Sequence, residues 1–458
     1  MRNVFSRASS VFAAAAFAAC VASCHTRPAT TFTPVVTYTQ APAWRPSATE
    51  SARYEPVLQV ATGAGSALTP DPALANVATE LARRVARDPQ GRPPSARVVQ
   101  AVAWLAGVTD PIPTVLAVRG SVGTTERAIE TSLQDVVRTD HPTHVGVAKL
   151  TVDNLEVLVV ALTARRVRLE PIARSVSVGA RVAVRGALAA GLRTPGLVIT
   201  RPDGHTEETQ LGEGPEFFGQ FPAAARGVYQ VEITADSDVG STVVANFPVY
   251  VDSEPPATPE ETSANAVEEP AAVEATLLQA INEARSRAHL RPLETLAPLG
   301  EVARGHSRDM AEHRFVAHNS PTQGTPGQRL RAAGLQSGLS LENVGRGYGA
   351  REIHDGLMAS PGHRANILND RVTHVGIGVV REPGPTGGLL VTQDFIEVAR
   401  PIDTSAAARE LVASVNRTRQ SRGLTPFEER PQLQQAADTA ARSFFANWAL
   451  AASSSSVS

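Results

Sequence analysis

Three short strings between His313 and Leu368 hold the side chains best suited to chemistry. They are Phe315-Val-Ala-His318-Asn-Ser, Leu341-Glu342-Asn343 and Ser360-Pro-Gly-His363-Arg-Ala-Asn-Ile-Leu368. His318, Glu342 and His363 stand 24 and 21 residues apart, in segments rich in Gly, Ser and Pro. Such segments are loops and element ends, where distant side chains can converge on a cleft. Two neutral imidazoles and a carboxylate form a minimal site for a divalent metal, with positions left open for water. The same three groups could do general acid–base work, since histidine titrates near neutral pH. Spacing alone leaves both open, beside a purely structural role for the histidines. There is no His-Glu-x-x-His helix and no Gly-x-Ser-x-Gly elbow to narrow the choice.

The rest of the composition is that of a globular chain. It has 458 residues, 42% hydrophobic and 19% charged, which predicts about three domains. A net charge of −2 offers no basic field for nucleic acid or an anionic membrane surface. Lys149 is the only lysine among the basic residues. Both cysteines, Cys20 and Cys24, lie in the leader, so the body has no disulfide, no thiol nucleophile and no cysteine zinc ligand.

Arg2 and Arg7 precede a short apolar run, Val11 to Ala22, which is too short to span a bilayer and reads as a signal peptide. The run ends in Val21-Ala22-Ser23-Cys24, which resembles a bacterial lipobox. Lipidation is therefore expected at Cys24, with ordinary cleavage as the alternative; Cys20 fits less well. The chain is expected to be exported and held in the cell envelope through a lipid anchor alone. His25 is not the Asp that retains enteric lipoproteins at the inner membrane, which favours the outer membrane or cell surface.

Residues 25–69, rich in Thr, Pro, Ala and Ser, read as a flexible tether. Residues 70–172 read as helices followed by a hairpin. Asp71-Pro72 and Ser95 would start the helices, and Asp153-Asn154 would turn the hairpin. Residues 173–252 read as all-β, with a strictly alternating Gly227-to-Ile233 run that resembles a late strand of an immunoglobulin-like sandwich. Its expected role is that of a spacer or packing partner. Residues 253–272 read as an exposed Pro/Glu-rich linker, and 273–400 as helices followed by paired strands. Two internal repeats appear. Thr143-His-Val-Gly-Val147 matches Thr373-His-Val-Gly-Ile377, and at that offset His363 falls on Leu133. Asn282, Arg285, Leu290, Pro292, Leu299 and Ala303 match Asn416, Arg419, Leu424, Pro426, Leu433 and Ala437, so 401–450 reads as a further, incomplete helical repeat.

Residues 273–400 resemble a CAP domain (cysteine-rich secretory proteins, antigen 5, pathogenesis-related proteins; also called SCP), in its cysteine-free bacterial branch. The matching strings include Asn282-x-x-Arg285, His306-Ser-x-Asp-Met310, Phe315-x-x-His318, Glu342-Asn343, Ser360-Pro-Gly-His363 and Thr392-Gln-x-x-Phe395. The resemblance implies an α–β–α sandwich over 273–400, and with the repeat a degenerate CAP-like α+β domain over 70–172. It places His318 and His363 as the family's histidine pair and Glu342 as one of its two acids. The second acid has no clear match, Glu352 and Asp355 being weak candidates, and Leu357 stands where the bacterial motif usually has Trp. His306, Asp309, His313 and Asn343 would be cap or packing residues; His354 and His374 would lie at the surface.

Two functions then compete. The first is a cell-envelope binding module presenting the CAP cleft to a lipid, glycan or protein, with a divalent metal, zinc foremost, at His318, Glu342 and His363. The second is a metal-dependent hydrolase acting on extracellular peptide or envelope polymer with the same three residues. The missing second acid and the lack of a recognisable nucleophile weigh toward binding.

Overall fold

A computed structural model describes residues 36–40, 44–259, 268–383, 388–398 and 403–454. The signal peptide and Cys24 lie outside the described residues. The chain divides into two compact units, Met1–Val398 and Ala399–Ser458. No described helix is long and apolar enough to cross a membrane.

The first domain contains β1 (Thr37–Tyr38), α1 (Ala48–Gly63), β2 (Thr69–Pro70), α2 (Pro72–Arg87), α3 (Ala96–Ala106), β3 (Thr114–Ser121), α4 (Thr125–Asp140), β4 (His144–Val152) and β5 (Leu155–Thr163). The expected start signals act as read. Asp71 accepts from the Leu74 N–H at 3.0 Å ahead of Pro72, and Ser95 caps α3. Strands β2-β4-β5-β3 form one sheet. Helices α2 and α3 cover one face, with Leu74, Val77, Val98 and Val102 buried; α1 and α4 cover the other, with Tyr54, Val57, Ile129 and Leu133 buried.

Residues 44–69 are therefore not a tether, because α1 buries Tyr54, Val57 and Ala61 in this core. Its weak sequence signal has a cause: Pro56, a residue that usually breaks helices, lies inside it, and its apolar residues form no strong stripe. The domain also ends earlier than residue 172. Strand β6 (Val167–Leu169) already pairs with β9 (Arg181–Leu188) of the next domain.

That domain adds β7 (Ile172–Ala173), β8 (Ser175–Val176), β10 (Arg193–Thr200), β11 (Thr206–Gln210), β12 (Glu216–Pro222), β13 (Gly227–Ser237) and β14 (Gly240–Val251). Sheets β11-β10-β13-β14-β8 and β12-β9-β6 close over a common core containing Val184, Phe217, Tyr229, Val231 and Phe247. The domain recruits the chain from far upstream: β1 pairs with β7, and the Tyr38 hydroxyl donates to the Pro248 carbonyl at 2.8 Å. The stretch after β14 is not fully exposed either. Thr258 is buried, and Arg84 of α2 donates to the Pro259 carbonyl at 3.0 Å.

The third domain runs α5 (Pro270–Arg287), β15 (Glu294–Thr295), α6 (Ala297–His313), α7 (Pro326–Ala332), β16 (Ser340–Gly347), α8 (Ala350–Ala359), α9 (Pro361–Ile367), β17 (His374–Arg381) and β18 (Leu389–Ile396). Its sheet, β15-β17-β18-β16, repeats the first domain's sheet in order and direction. The outer pair is parallel and the other two are antiparallel. Thr69 pairs with His144 as Glu294 pairs with His374. Gly146 and Gly376 have the same task. A Cβ on Gly146 would meet the Leu74 carbonyl carbon at 2.0 Å, and one on Gly376 would meet that of Leu299 at 2.4 Å. Glycine at both positions lets a helix backbone lie directly on the strand. The shared Thr-His-Val-Gly string thus marks a shared fold.

The second unit contains α10 (Thr404–Ser421) and α11 (Pro431–Ser454). Its turn reproduces that after α5. Asn416 Nδ2 donates to the Phe427 carbonyl at 2.9 Å, and Arg419 Nε to that of Thr425 at 2.7 Å. In the third domain Asn282 and Arg285 bind the Leu293 and Arg291 carbonyls at 3.1 and 2.8 Å.

Candidate functional site

The three residues singled out by spacing occupy three different elements. His318 follows α6, Glu342 lies on β16 and His363 on α9. His318 Nδ1 donates to Glu342 Oε1 at 2.8 Å. The other Glu342 oxygen accepts from Arg329 of α7, whose side chain is 3% exposed. Burial opposes charge on Glu342, but the His318 hydrogen bond and the Arg329 guanidinium outweigh it and hold its pKa below the ordinary value.

A second acid lies beside Glu342. Asp394 is its register partner on β18 and is 1% exposed. Burial, the Glu342 charge and a hydrogen bond between the two carboxyls push the Asp394 pKa well up, against the opposing pull of Arg329. The proton of the pair is thus driven toward Asp394 and the charge toward Glu342, the usual direction when two carboxyls share a buried site. Glu352 and Asp355 do not join them. Glu352 accepts from the Ala96 and Tyr348 amides at 2.9 and 2.8 Å, and Asp355 faces Arg351 at 3.9 Å. Asp394 had one legible signal: a carboxylate in the otherwise buried, mostly apolar strand Leu389–Ile396.

His363 stands in a different environment. Its Nδ1 lies 2.8 Å from the Ser360 hydroxyl, which in turn donates to Glu232 Oε2 at 2.5 Å. Glu232 belongs to β13 of the sandwich. Burial, reinforced by His318, lowers the His363 pKa to about 4, so the ring is neutral at pH 7. Burial likewise raises Glu232 to about 7, against hydrogen bonds from Ser360, Gly362 and Asn246. The sandwich also reaches His318. A Cβ on Gly240, at the β13–β14 turn, would lie 3.3 Å from His318 Cβ, and the Asn319 amide donates to the Val239 carbonyl at 3.0 Å. The sandwich, expected as a spacer or packing partner, thus packs against both site histidines.

His363, Ser360 and Glu232 line a cavity of about 410 Å³ where the three domains meet. Trp104 of α3, Val243 of β14 and Leu357 of α8 supply apolar wall, so Leu357 forms this surface where the bacterial motif has Trp. Both the size and the mixture of apolar wall and few polar groups suit a small-molecule pocket.

The neighbouring polar residues hold the frame. His306 is fully buried and its Nε2 donates to the Ala317 carbonyl at 2.9 Å; burial lowers its pKa. Asp309 accepts from Ser320 and Thr322, both at 2.5 Å, and faces His313 at 2.9 Å. Asn343 donates to the His363 carbonyl and to Gln393, both at 3.2 Å, and accepts from Asn366 at 2.9 Å. Of the two histidines expected at the surface, His354 is buried, packed by α8 against the core, while His374 is only half-buried.

Tested against a metal, the donors fit in part. Both Glu342 oxygens are engaged by cationic or donor groups, so Glu342 suits a place behind His318 as its orienting carboxylate. The two imidazoles, through Nε2, are the groups that would be left to ligate an ion. Among the described residues no group of three or more His, Cys, Asp or Glu is placed to hold an ion together.

One region of the chain matches a known family. Residues 278–395 match the model of CAP, the cysteine-rich secretory protein family. The chain is similar to Uncharacterized protein YkwD of Bacillus subtilis (strain 168), 34% identical over 147 residues, which are 31% of this chain and 55% of that protein. It is also similar to Uncharacterized membrane protein YlbC of the same organism, 34% identical over 126 residues, 27% of this chain and 34% of that one. The matches thus span about half of one relative and a third of the other. Among solved structures, an extracellular protein containing a SCP domain from Bacillus anthracis str. Ames aligns at 19% identity and a TM-score of 0.27, covering 51% of this chain and 90% of that one.

Proposed function

We propose that this chain, whose residues 278–395 match the CAP family, is an exported cell-envelope protein whose CAP domain is an extracellular binding module. Its ligand would be a lipid, glycan or protein. Its anchor would be a lipid on Cys24, in the outer membrane or at the cell surface. One observation carries the preference for binding over hydrolysis. Glu342, the carboxylate of the cluster whose pKa is lowered, is held by both His318 and Arg329, and the pKa of its neighbour Asp394 is pushed up. A carboxylate tied on both oxygens is poorly placed to activate water. The cavity beside His363 gives a ligand apolar wall and a polar end.

A divalent ion, zinc foremost, would be held by His318 and His363, and would supply a Lewis acid at the polar end of the site. His318 would be kept in one orientation by Glu342, and His363 would be neutral and ready to bind. Calorimetric zinc titration of the full chain, beside His318→Ala/His363→Ala, tests this part. Stoichiometric binding lost in the double variant supports it; absence of binding at micromolar zinc leaves a metal-free recognition site. Turnover of a peptide or peptidoglycan substrate, abolished by Glu342→Gln, would overturn the binding reading in favour of a hydrolase.

A further inference from the structure

Glu232 is 1% exposed, on a strand of one domain, and receives hydrogen bonds from another. Ser360 Oγ reaches its Oε2 at 2.5 Å and the Gly362 amide its Oε1 at 3.1 Å. Asn246 Nδ2 reaches Oε2 at 3.1 Å, and the Asn246 amide is held in that sense because its Oδ1 accepts from Gln230 Nε2 at 2.5 Å. Every contact offered to Glu232 is therefore a donor. An ionised carboxylate only accepts, and a hydroxyl has a single hydrogen. With Glu232 ionised and that hydrogen directed at it, the Ser360 oxygen faces His363 Nδ1, 2.8 Å away, as an acceptor. The imidazole proton must then sit on Nδ1, and the lone pair on Nε2.

We propose that Glu232 of the β-sandwich is a positioning residue for His363 of the CAP domain. It acts through the Ser360 hydroxyl to hold the imidazole as its Nδ1–H tautomer with Nε2 free to accept a ligand. The chain from carboxylate to hydroxyl to imidazole crosses a domain boundary. The sandwich thereby decides which nitrogen the CAP site presents, in the way that an outer carboxylate orients a ligating histidine. Gly240 against His318 places the other histidine under the same domain. The first domain has no use for such a chain, since Leu133 stands at the position matching His363 and is buried in the core.

The proposal rests on reading His363 as a site residue, but its test needs no ligand. The full chain, labelled with nitrogen-15 at histidine and assigned with His363→Gln, is observed by NMR at pH 8. There Glu232 is ionised and His363 neutral. The expected result is one Nδ1–H tautomer for His363, changing to a mixture in Glu232→Ala with His318 unaltered. Ser360→Ala keeps the Gly362 and Asn246 bonds to Glu232, so it cuts the chain without freeing the carboxylate, and the same mixture is expected. Where zinc binds, both variants should weaken it about 10- to 100-fold. An unchanged tautomer in Ser360→Ala, or in folded Glu232→Ala, would overturn the proposal and leave Glu232 as a domain fastener. Failure of zinc binding alone would bear on the metal and leave the tautomer result standing.

Discussion

Glu342 and Asp394 sit opposite each other on β16 and β18 as two buried carboxyls with pKa values driven apart, Glu342 down and Asp394 up. The corresponding pair in the first domain is Val115 and Ala161. Gly146 pairs with Ala161 as Gly376 pairs with Asp394, and Val115 is the next partner outward as Glu342 is. One fold thus carries an acid pair in one copy and an apolar pair in the other.

Because burial and Glu342 push Asp394 toward its neutral form, Asp394→Asn should keep its shape and charge state, and stability should change by no more than about 1 kcal/mol. Glu342→Ala instead strands Arg329, whose side chain is 3% exposed, and should cost about 3–5 kcal/mol. Urea midpoints of the two variants decide this. Equal losses would show that Asp394 is charged.

Gly376→Ala should destabilise the CAP domain severely, since its Cβ would lie 2.4 Å from the Leu299 backbone. Gly146→Ala should do the same to the first domain. Gly356→Ala is the control: it lies in α8 with nothing within 4 Å of its Cβ, and should be neutral or stabilising by up to about 1 kcal/mol. Thermal melts of the three would show whether close approach, rather than loss of glycine itself, sets the cost.

Glu232 and His363 should give opposite pH slopes. Glu232 has its folded pKa raised from 4.5 to about 7, so between those values the folded state holds the extra proton and stability falls as pH rises. His363 has its folded pKa lowered from 6.5 to about 4, so between those values the unfolded state holds the extra proton and stability falls as pH falls. Each amounts to about 3 kcal/mol at most, and they largely offset one another between pH 4.5 and 6.5. Relative to the parent chain, Glu232→Gln should lose stability on acidification from pH 7 to 5, whereas His363→Gln should gain it. Denaturant unfolding at the two pH values measures both, and parallel profiles would contradict the assignment.

Asn282→Ala should cost more than Asn416→Ala, although both side chains close the same turn. Asn282 is half-buried under the CAP core and would leave the Leu293 amide without its partner, at about 1–3 kcal/mol. Asn416 is also half-buried, but its bonds with Phe427 are exposed, so water can replace them. Unfolding monitored separately for the two units would show the difference.

Local rules reached far along this chain. Asp71 and Ser95 capped their helices, Asp153-Asn154 turned its hairpin, and a five-residue repeat marked two sheets of one topology. These are short-range effects, set by side chains within a few residues of the backbone they organise. The motif likewise brought His318 and Glu342 together, and 2.8 Å separates them. What the linear string did not carry was how distant surfaces meet. Helix α1 lacked an apolar stripe, so only packing against α4 revealed that it is part of a core. Asp394 looked like one charge in a strand until register set it against Glu342. Glu232 lies 131 residues before His363, in a different domain, and no periodicity links them. Burial of both sides of that boundary made the contact, so the partner of the site histidine was a decision of the tertiary structure alone.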